Sequence, residues 1–69
     1  MLALESQDFR EVELAVKWAI KEHLEKAAYW RVEYAKDCYG VFDQLAIRHQ
    51  ATAEALEKGW QMIMRRFEQ

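Results

Sequence analysis

Two histidines and one cysteine are the residues of this 69-residue chain whose chemistry suits metal binding or nucleophilic attack. Imidazole is the commonest metal ligand in proteins, and glutamates surround His23 in the sequence. Di-metal helical bundles place a glutamate three residues before each metal-binding histidine, a position that Ile20 occupies before His23. The same position before His49 holds Ala46, so we expect no metal site and no cofactor. We place both histidines in the helical core, each with one hydrogen bond, and in an oligomer they could pair across a symmetry axis and make assembly sensitive to pH near neutrality.

Nucleophilic catalysis has little support in the sequence. Cys38 lies eleven residues from His49, and the chain contains no glycine-rich phosphate loop or serine elbow. A chain of 69 residues forms one domain and is too short for a catalytic domain of ordinary size. We therefore expect a protein without enzymatic activity and without catalytic residues.

The single cysteine excludes an intramolecular disulfide framework, which is compatible with a reducing compartment. The N-terminus lacks the basic region and hydrophobic run of a signal peptide. No apolar stretch reaches the roughly 18 residues that a membrane span needs. We expect an unprocessed, cytoplasmic chain that does not enter a membrane.

Charged residues of both signs are interspersed along the chain. Ten lysines and arginines accompany twelve aspartates and glutamates, which gives a formal net charge of −2. A nucleic-acid-binding face should stand out as basic, because phosphate contacts supply most of the affinity in such complexes. We therefore expect a mixed solvated surface and keep a nucleic-acid-associated regulator of hairpin-dimer type as the alternative function. Its candidate residues are Arg10, Lys17, Lys21, Arg31, Arg48, Lys58, Arg65 and Arg66.

The region from Phe9 to Tyr34 predicts one long helix with apolar residues on two opposite sides. A surface helix of a small monomer needs a single apolar face, so a helix with two must be covered from two directions. The rest of the chain supplies one cover only. One side carries Phe9, Val12, Val16, Ala19, Ile20, His23, Ala27, Trp30 and Tyr34, and the other carries Leu14, Trp18, Tyr29 and Val32 around Lys21, Glu22 and Glu25.

The chain contains no proline and is rich in good helix formers, which predicts an all-α fold. Ser6 or Asp8 can cap helix one at about 8–37, and Gly40 can take the left-handed conformation that ends a helix, so the turn covers about 38–40. Helix two, at about 41–67, then folds back to give an antiparallel hairpin within a single domain, 1–69. One uninterrupted helix through Gly40 is the alternative. The apolar stripe of helix two is Phe42, Leu45, His49, Thr52, Leu56, Trp60, Ile63 and Phe67.

Facing residues of the predicted hairpin have numbers that add to about 79, and this register alternates bulky and small residues across the layers. His23 then faces Leu56. Gly59, which is unusual inside a helix, leaves room for Ile20. The other predicted pairs are Tyr34 with Leu45, Trp30 with His49, Ala27 with Thr52, Ile20 with Trp60, Val16 with Ile63 and Val12 with Phe67.

Trp18 and Tyr29 lie on the face of helix one that the hairpin leaves uncovered. Aromatic residues buried between chains often dominate binding energy, so this face predicts association with another copy or with a different protein. Helix two has a weaker second stripe whose small residues allow close helix approach. We expect a homodimer or higher oligomer, built as a four-helix bundle, that acts as a non-enzymatic interaction or regulatory module. The predicted interface residues are Leu14, Trp18, Tyr29 and Val32 of helix one and Ile47, Ala51, Ala55 and Met62 of helix two.

Overall fold

The computed structural model is an all-helical hairpin in which two long helices pack against each other. It describes the backbone of residues 7–68 and the side chains of residues 8–66. Helix α1 spans Gln7–Asp37 and helix α2 spans Gly40–Glu68. The predicted all-α hairpin is confirmed, and the alternative of one uninterrupted helix is wrong. The hairpin is elongated, with principal extents of 51 × 19 × 11 Å.

The first turn of α1 contains Asp8, where a carboxylate is favoured by the helix dipole. Because α1 already includes Gln7, Asp8 lies within the helix and does not cap it. The other predicted cap, Ser6, lies outside the described residues.

The turn between the helices depends on Cys38, and the prediction that Gly40 takes the left-handed conformation is wrong. Cys38 has a φ of 56°, and its N–H donates to the Tyr34 carbonyl oxygen at 2.7 Å. This bond and conformation form the αL motif that commonly ends a helix. The glycines have no positive φ, and Gly40 is the first residue of α2. The Phe42 N–H then donates to the Tyr39 carbonyl oxygen at 3.0 Å, which starts the new helix.

The centre of the hairpin is built from alanines. Ala27, Ala46 and Ala53 are buried, with 0–1% of their surface exposed, and none of the large side chains described is fully buried. The predicted core position of Thr52 is wrong, because Thr52 is exposed and its hydroxyl donates to the Arg48 carbonyl oxygen at 2.9 Å. The adjacent alanine, Ala53, faces α1 in its place. Small residues at these positions let the helices approach closely but bury little apolar area.

The predicted register is wrong in two layers near the middle of the hairpin. His23 was expected to face Leu56, but its Nδ1 lies 2.9 Å from Nδ1 of His49. Trp30 was expected to face His49, but its ring stacks on Phe42 with centroids 5.3 Å apart. In both layers the observed partner lies seven residues nearer the turn than the predicted one.

Other predicted pairs do share surfaces between the helices. Val16 and Ile63 line one groove, and Ile20 and Trp60 line another. Trp60 also packs on Phe9, with ring centroids 5.5 Å apart. Val12 and Ile63, both predicted as core, keep 52% and 45% of their surface exposed. The predicted partner of Val12, Phe67, has its side chain outside the described residues.

Over the part of the chain that the structure describes, neither helix combines the length and the apolar character needed to cross a bilayer.

Candidate interaction surface

The four predicted interface residues of α1 form a strip of exposed hydrophobic side chains, which we name the α1 outer stripe. Leu14 and Trp18 keep 66% and 65% of their surface exposed, and Tyr29 and Val32 keep 55% and 54%. Helical periodicity places these residues on the side of α1 away from α2. The ring of Tyr29 touches the edge of Trp30 at a centroid distance of 4.9 Å, which helps to fix its position on the surface.

The four predicted interface residues of α2 are exposed as well. Ile47 and Met62 keep 58% and 55% of their surface exposed, and Ala51 and Ala55 are also exposed. Helical periodicity places Ile47, Ala51 and Met62 on the side of α2 away from α1, whereas Ala55 also lines a groove that it shares with Val16 of α1. We name these four residues the α2 outer stripe. The two outer stripes therefore face mainly different directions, and the structure does not bring all eight predicted residues into one surface.

An apolar groove of about 200 Å³ lies beside Gly59, where the sequence predicted close packing by Ile20. Apart from its own helix, no heavy atom of the described residues lies within 4 Å of the point where a Cβ on Gly59 would stand. The expectation that Gly59 makes room for Ile20 is therefore wrong. The groove is lined by Val16, Ala55, Leu56, Gly59, Trp60 and Ile63.

The two histidines meet between the helices, both of them half-buried. Their Nδ1 atoms are 2.9 Å apart and their ring centroids are 5.2 Å apart, so the two nitrogens point almost directly at each other. This is the geometry of a hydrogen bond in which one neutral imidazole donates its Nδ1 proton to the other. The histidines therefore pair within one chain, whereas the predicted register placed them in separate layers.

The spacing of the two histidines fits a hydrogen bond between the rings better than coordination of a metal ion. Two nitrogens on a tetrahedral zinc ion, each about 2.0–2.1 Å from the metal, are separated by about 3.3 Å, which exceeds the 2.9 Å found here. Within the described residues, no group of three or more His, Cys, Asp and Glu side chains could hold a metal. Burial lowers the pKa of His49, and positive charge on His23 and Lys26 lowers it further.

Several of the candidate basic residues for nucleic-acid binding already have partners. Lys17 lies 3.7 Å from Glu13, and Lys21 lies 3.9 Å from Glu25. Arg31 donates a 3.3 Å hydrogen bond to the side-chain oxygen of Gln50. These pairs are exposed or partly exposed and contribute little to stability, but they make the surface a mixture of charges.

Hydrophobic residues near the turn are exposed and were not among the predicted interface residues. Tyr39 and Val41 keep 63% and 56% of their surface exposed, and the Tyr39 ring meets the Phe42 ring edge-on at 5.5 Å. Leu24, on the flank of α1, keeps 41%. The apolar residues on either side of Gly40 are the feature of the sequence that indicates an exposed hydrophobic region at the turn.

No protein-family model matches this sequence, and no curated protein or solved structure matches the chain.

Proposed function

We propose that the chain is a non-enzymatic interaction or regulatory module that works by self-association of two hairpins into a four-helix homodimer. The observation that supports this proposal is the imbalance between the inside and the outside of the hairpin. Among the described side chains, only three alanines are buried, whereas large hydrophobic residues such as Trp18, Leu14 and Tyr29 are more than half exposed.

The exposed area of the chain supports the same proposal. A compact monomer of 8.3 kDa exposes about 4,600 Å² by the usual scaling of surface with mass. This hairpin exposes 5660 Å², which is about 1,100 Å² more. A standard protein interface covers about 800 Å² on each partner, so the excess is large enough for a stable dimer. The radius of gyration of 15.7 Å also exceeds the roughly 11 Å of a compact domain of this length.

A protein-binding role would use whichever outer stripe self-association leaves open. The α2 outer stripe combines two large apolar side chains, Ile47 and Met62, with two alanines, which suits an apolar helix of a partner protein. We further propose a cytoplasmic site of action, based on the single cysteine.

Sedimentation equilibrium over a wide range of chain concentration, with helicity followed by circular dichroism, tests self-association directly. We expect a dimer in the wild type, and we expect Trp18→Ala to raise its dissociation constant by roughly 30-fold or more, as loss of an aromatic anchor residue does. Trp60→Ala is the matched control, because Trp60 is half-buried inside the hairpin against Phe9. It should lower the free energy of unfolding by about 2 kcal/mol.

The two tryptophan variants separate the interface from the hairpin core. Equal losses of folding and association from both would contradict the assignment of Trp18 to the interface. A fully helical monomer at every concentration would overturn the proposed self-association.

A further inference from the structure

The apolar residues of the α1 outer stripe are arranged symmetrically along the helix. Leu14 and Trp18 lie toward one end, and Tyr29 and Val32 lie toward the other, about a centre near residue 23. If a second copy of α1 packs antiparallel about that centre, Leu14 meets Val32 of the copy. In the same arrangement, Trp18 meets Tyr29 of the copy. Aromatic pairs of this kind add about 0.5–1.5 kcal/mol to the effect of buried area.

Charged residues continue the same stripe at helical spacing and are arranged with opposite signs about the same centre. Lys21 and Glu25 lie next to the centre, and their side chains are 75% and 62% exposed. Glu11 and Lys36 lie at the two ends of the stripe, and both are exposed. Antiparallel pairing brings Lys21 to Glu25 of the copy and Glu11 to Lys36 of the copy. The four layers Leu14–Val32, Trp18–Tyr29, Lys21–Glu25 and Glu11–Lys36 therefore match apolar with apolar or positive with negative, and Glu22, also in the middle of the stripe, is left outside them.

We propose that the surface that covers the α1 outer stripe is the α1 outer stripe of a second copy of this chain, packed antiparallel about a two-fold axis near residue 23. This inference specifies the interface of the self-association proposed above. A parallel pair would place Lys21 against Lys21 and Glu25 against Glu25, and like charges opposite one another oppose association. The complementary charges therefore favour a second copy of α1 as the surface that covers the stripe, and an antiparallel orientation of that copy.

The positions of the two outer stripes on the hairpin favour this pairing over one between α1 and α2 of different copies. Because the two stripes face mainly different directions, an α1-to-α2 contact would be heterologous and would repeat from copy to copy, either closing as a larger ring or continuing as an open chain. Pairing α1 with α1 is isologous and closes after two copies. The four helices then lie in one layer, in the order α2, α1, α1, α2, and not in the square cross-section of a compact four-helix bundle.

Charge reversal at the central layer tests the direction of the pairing by sedimentation. In the antiparallel dimer, Lys21→Glu changes two attractive pairs into two repulsive pairs, because the axis repeats each layer. We expect the dissociation constant to rise roughly 5- to 30-fold, and Glu25→Lys should have the same effect. The double variant Lys21→Glu/Glu25→Lys restores opposite charges and should return to within about 2-fold of wild type. A parallel dimer would instead respond little to either single change.

Lys17→Glu is the matched control for the loss of an ion pair within the helix. Lys17 pairs with Glu13 at 3.7 Å and a spacing of four residues, as Lys21 does with Glu25 at 3.9 Å, but Lys17 lies off the outer stripe. This change should leave the dissociation constant unaltered. If it weakens the dimer as much as Lys21→Glu does, the effect comes from helix stability and the proposed interface is wrong.

Disulfide trapping gives a second test of the same pairing, in a Cys38→Ser background. A mixture of Leu14→Cys and Val32→Cys chains should form a mixed disulfide, while Leu14→Cys alone should not link to itself. Linking of Leu14→Cys to itself would show a parallel pair. A dimer that forms no mixed disulfide and is insensitive to the Lys21 and Glu25 changes would overturn this inference but leave self-association intact. A monomeric wild type would overturn both.

Discussion

The left-handed backbone at Cys38 predicts that replacing this residue by glycine stabilises the hairpin. A residue with a Cβ at a φ of 56° is destabilised by roughly 1–2 kcal/mol relative to glycine, because the Cβ comes too close to the backbone. Relief of this strain stabilises the Cys38→Gly variant, but the greater flexibility of glycine in the unfolded chain offsets about 0.5–1 kcal/mol of that stabilisation. The central value of the net increase in the free energy of unfolding is about 0.7 kcal/mol, which raises the melting temperature by about 3–6 °C in a domain of this size.

The measurement is thermal and urea unfolding of Cys38→Gly, followed by circular dichroism under reducing conditions at one fixed chain concentration. The fixed concentration is needed because association also contributes to apparent stability. Cys38→Ala is the control, since it removes the exposed thiol but keeps the Cβ. It should lie within about 0.5 kcal/mol of wild type. If Cys38→Gly is no more stable than Cys38→Ala, the strain assigned to this turn is absent.

Two further predictions concern Gly59 and the histidine pair. Gly59→Ala should raise the free energy of unfolding by about 1 kcal/mol, because a Cβ there meets nothing within 4 Å and alanine is the better helix former; a lower melting temperature would show that the groove is occupied in the assembled protein. Because the pKa of His49 is lowered in the folded chain, the unfolded chain binds a proton at this residue more readily. The free energy of unfolding should therefore be unaffected by His49 protonation above about pH 6.5 and should fall as pH decreases from there through the lowered pKa. Urea unfolding at a series of pH values checks this, and His49→Gln should flatten the profile; an equal slope in both proteins would remove His49 as its cause.

The two helices and their hairpin could be predicted because their signals are local. Apolar residues recur at helical spacing over more than twenty residues, and no proline interrupts them. Glycine near the middle of the chain marked the only position for a turn. The exposed second face of α1 followed from the same periodicity, and Trp18 and Tyr29 are indeed exposed in the hairpin.

The register of the helices could not be predicted from that periodicity. Sliding one helix by seven residues keeps the same stripe facing its partner, so the pattern favours both positions equally. In the structure, the partners of both His23 and Trp30 lie seven residues nearer the turn than the predicted ones. The deciding contacts are specific ones, a hydrogen bond between imidazoles and a stack of aromatic rings, which hydrophobic patterning does not encode.

The turn and the core were missed for related reasons. Glycine is the usual residue at the left-handed position after a helix, so the pattern favoured Gly40, although Cys38 takes that position. Large apolar residues at helical spacing predict a core of bulky side chains, whereas the residues buried between the two helices are alanines such as Ala53, next to the exposed Thr52. Helix separation is a tertiary property, and no local signal reports it.

The contacts across the hairpin also imply a direction for folding. Trp30 and Phe42 lie close together along the chain, the two histidines are 26 residues apart, and Phe9 and Trp60 are nearly at opposite ends. Closing a loop is entropically easiest when few residues separate its ends, and each formed layer shortens the loop that the next layer must close. The contacts between the helices should therefore form first next to Cys38 and then toward the far end of the hairpin, and they should break first at the far end. Amide hydrogen exchange should then be fastest near Phe9 and Trp60 and slowest between the histidines and the turn.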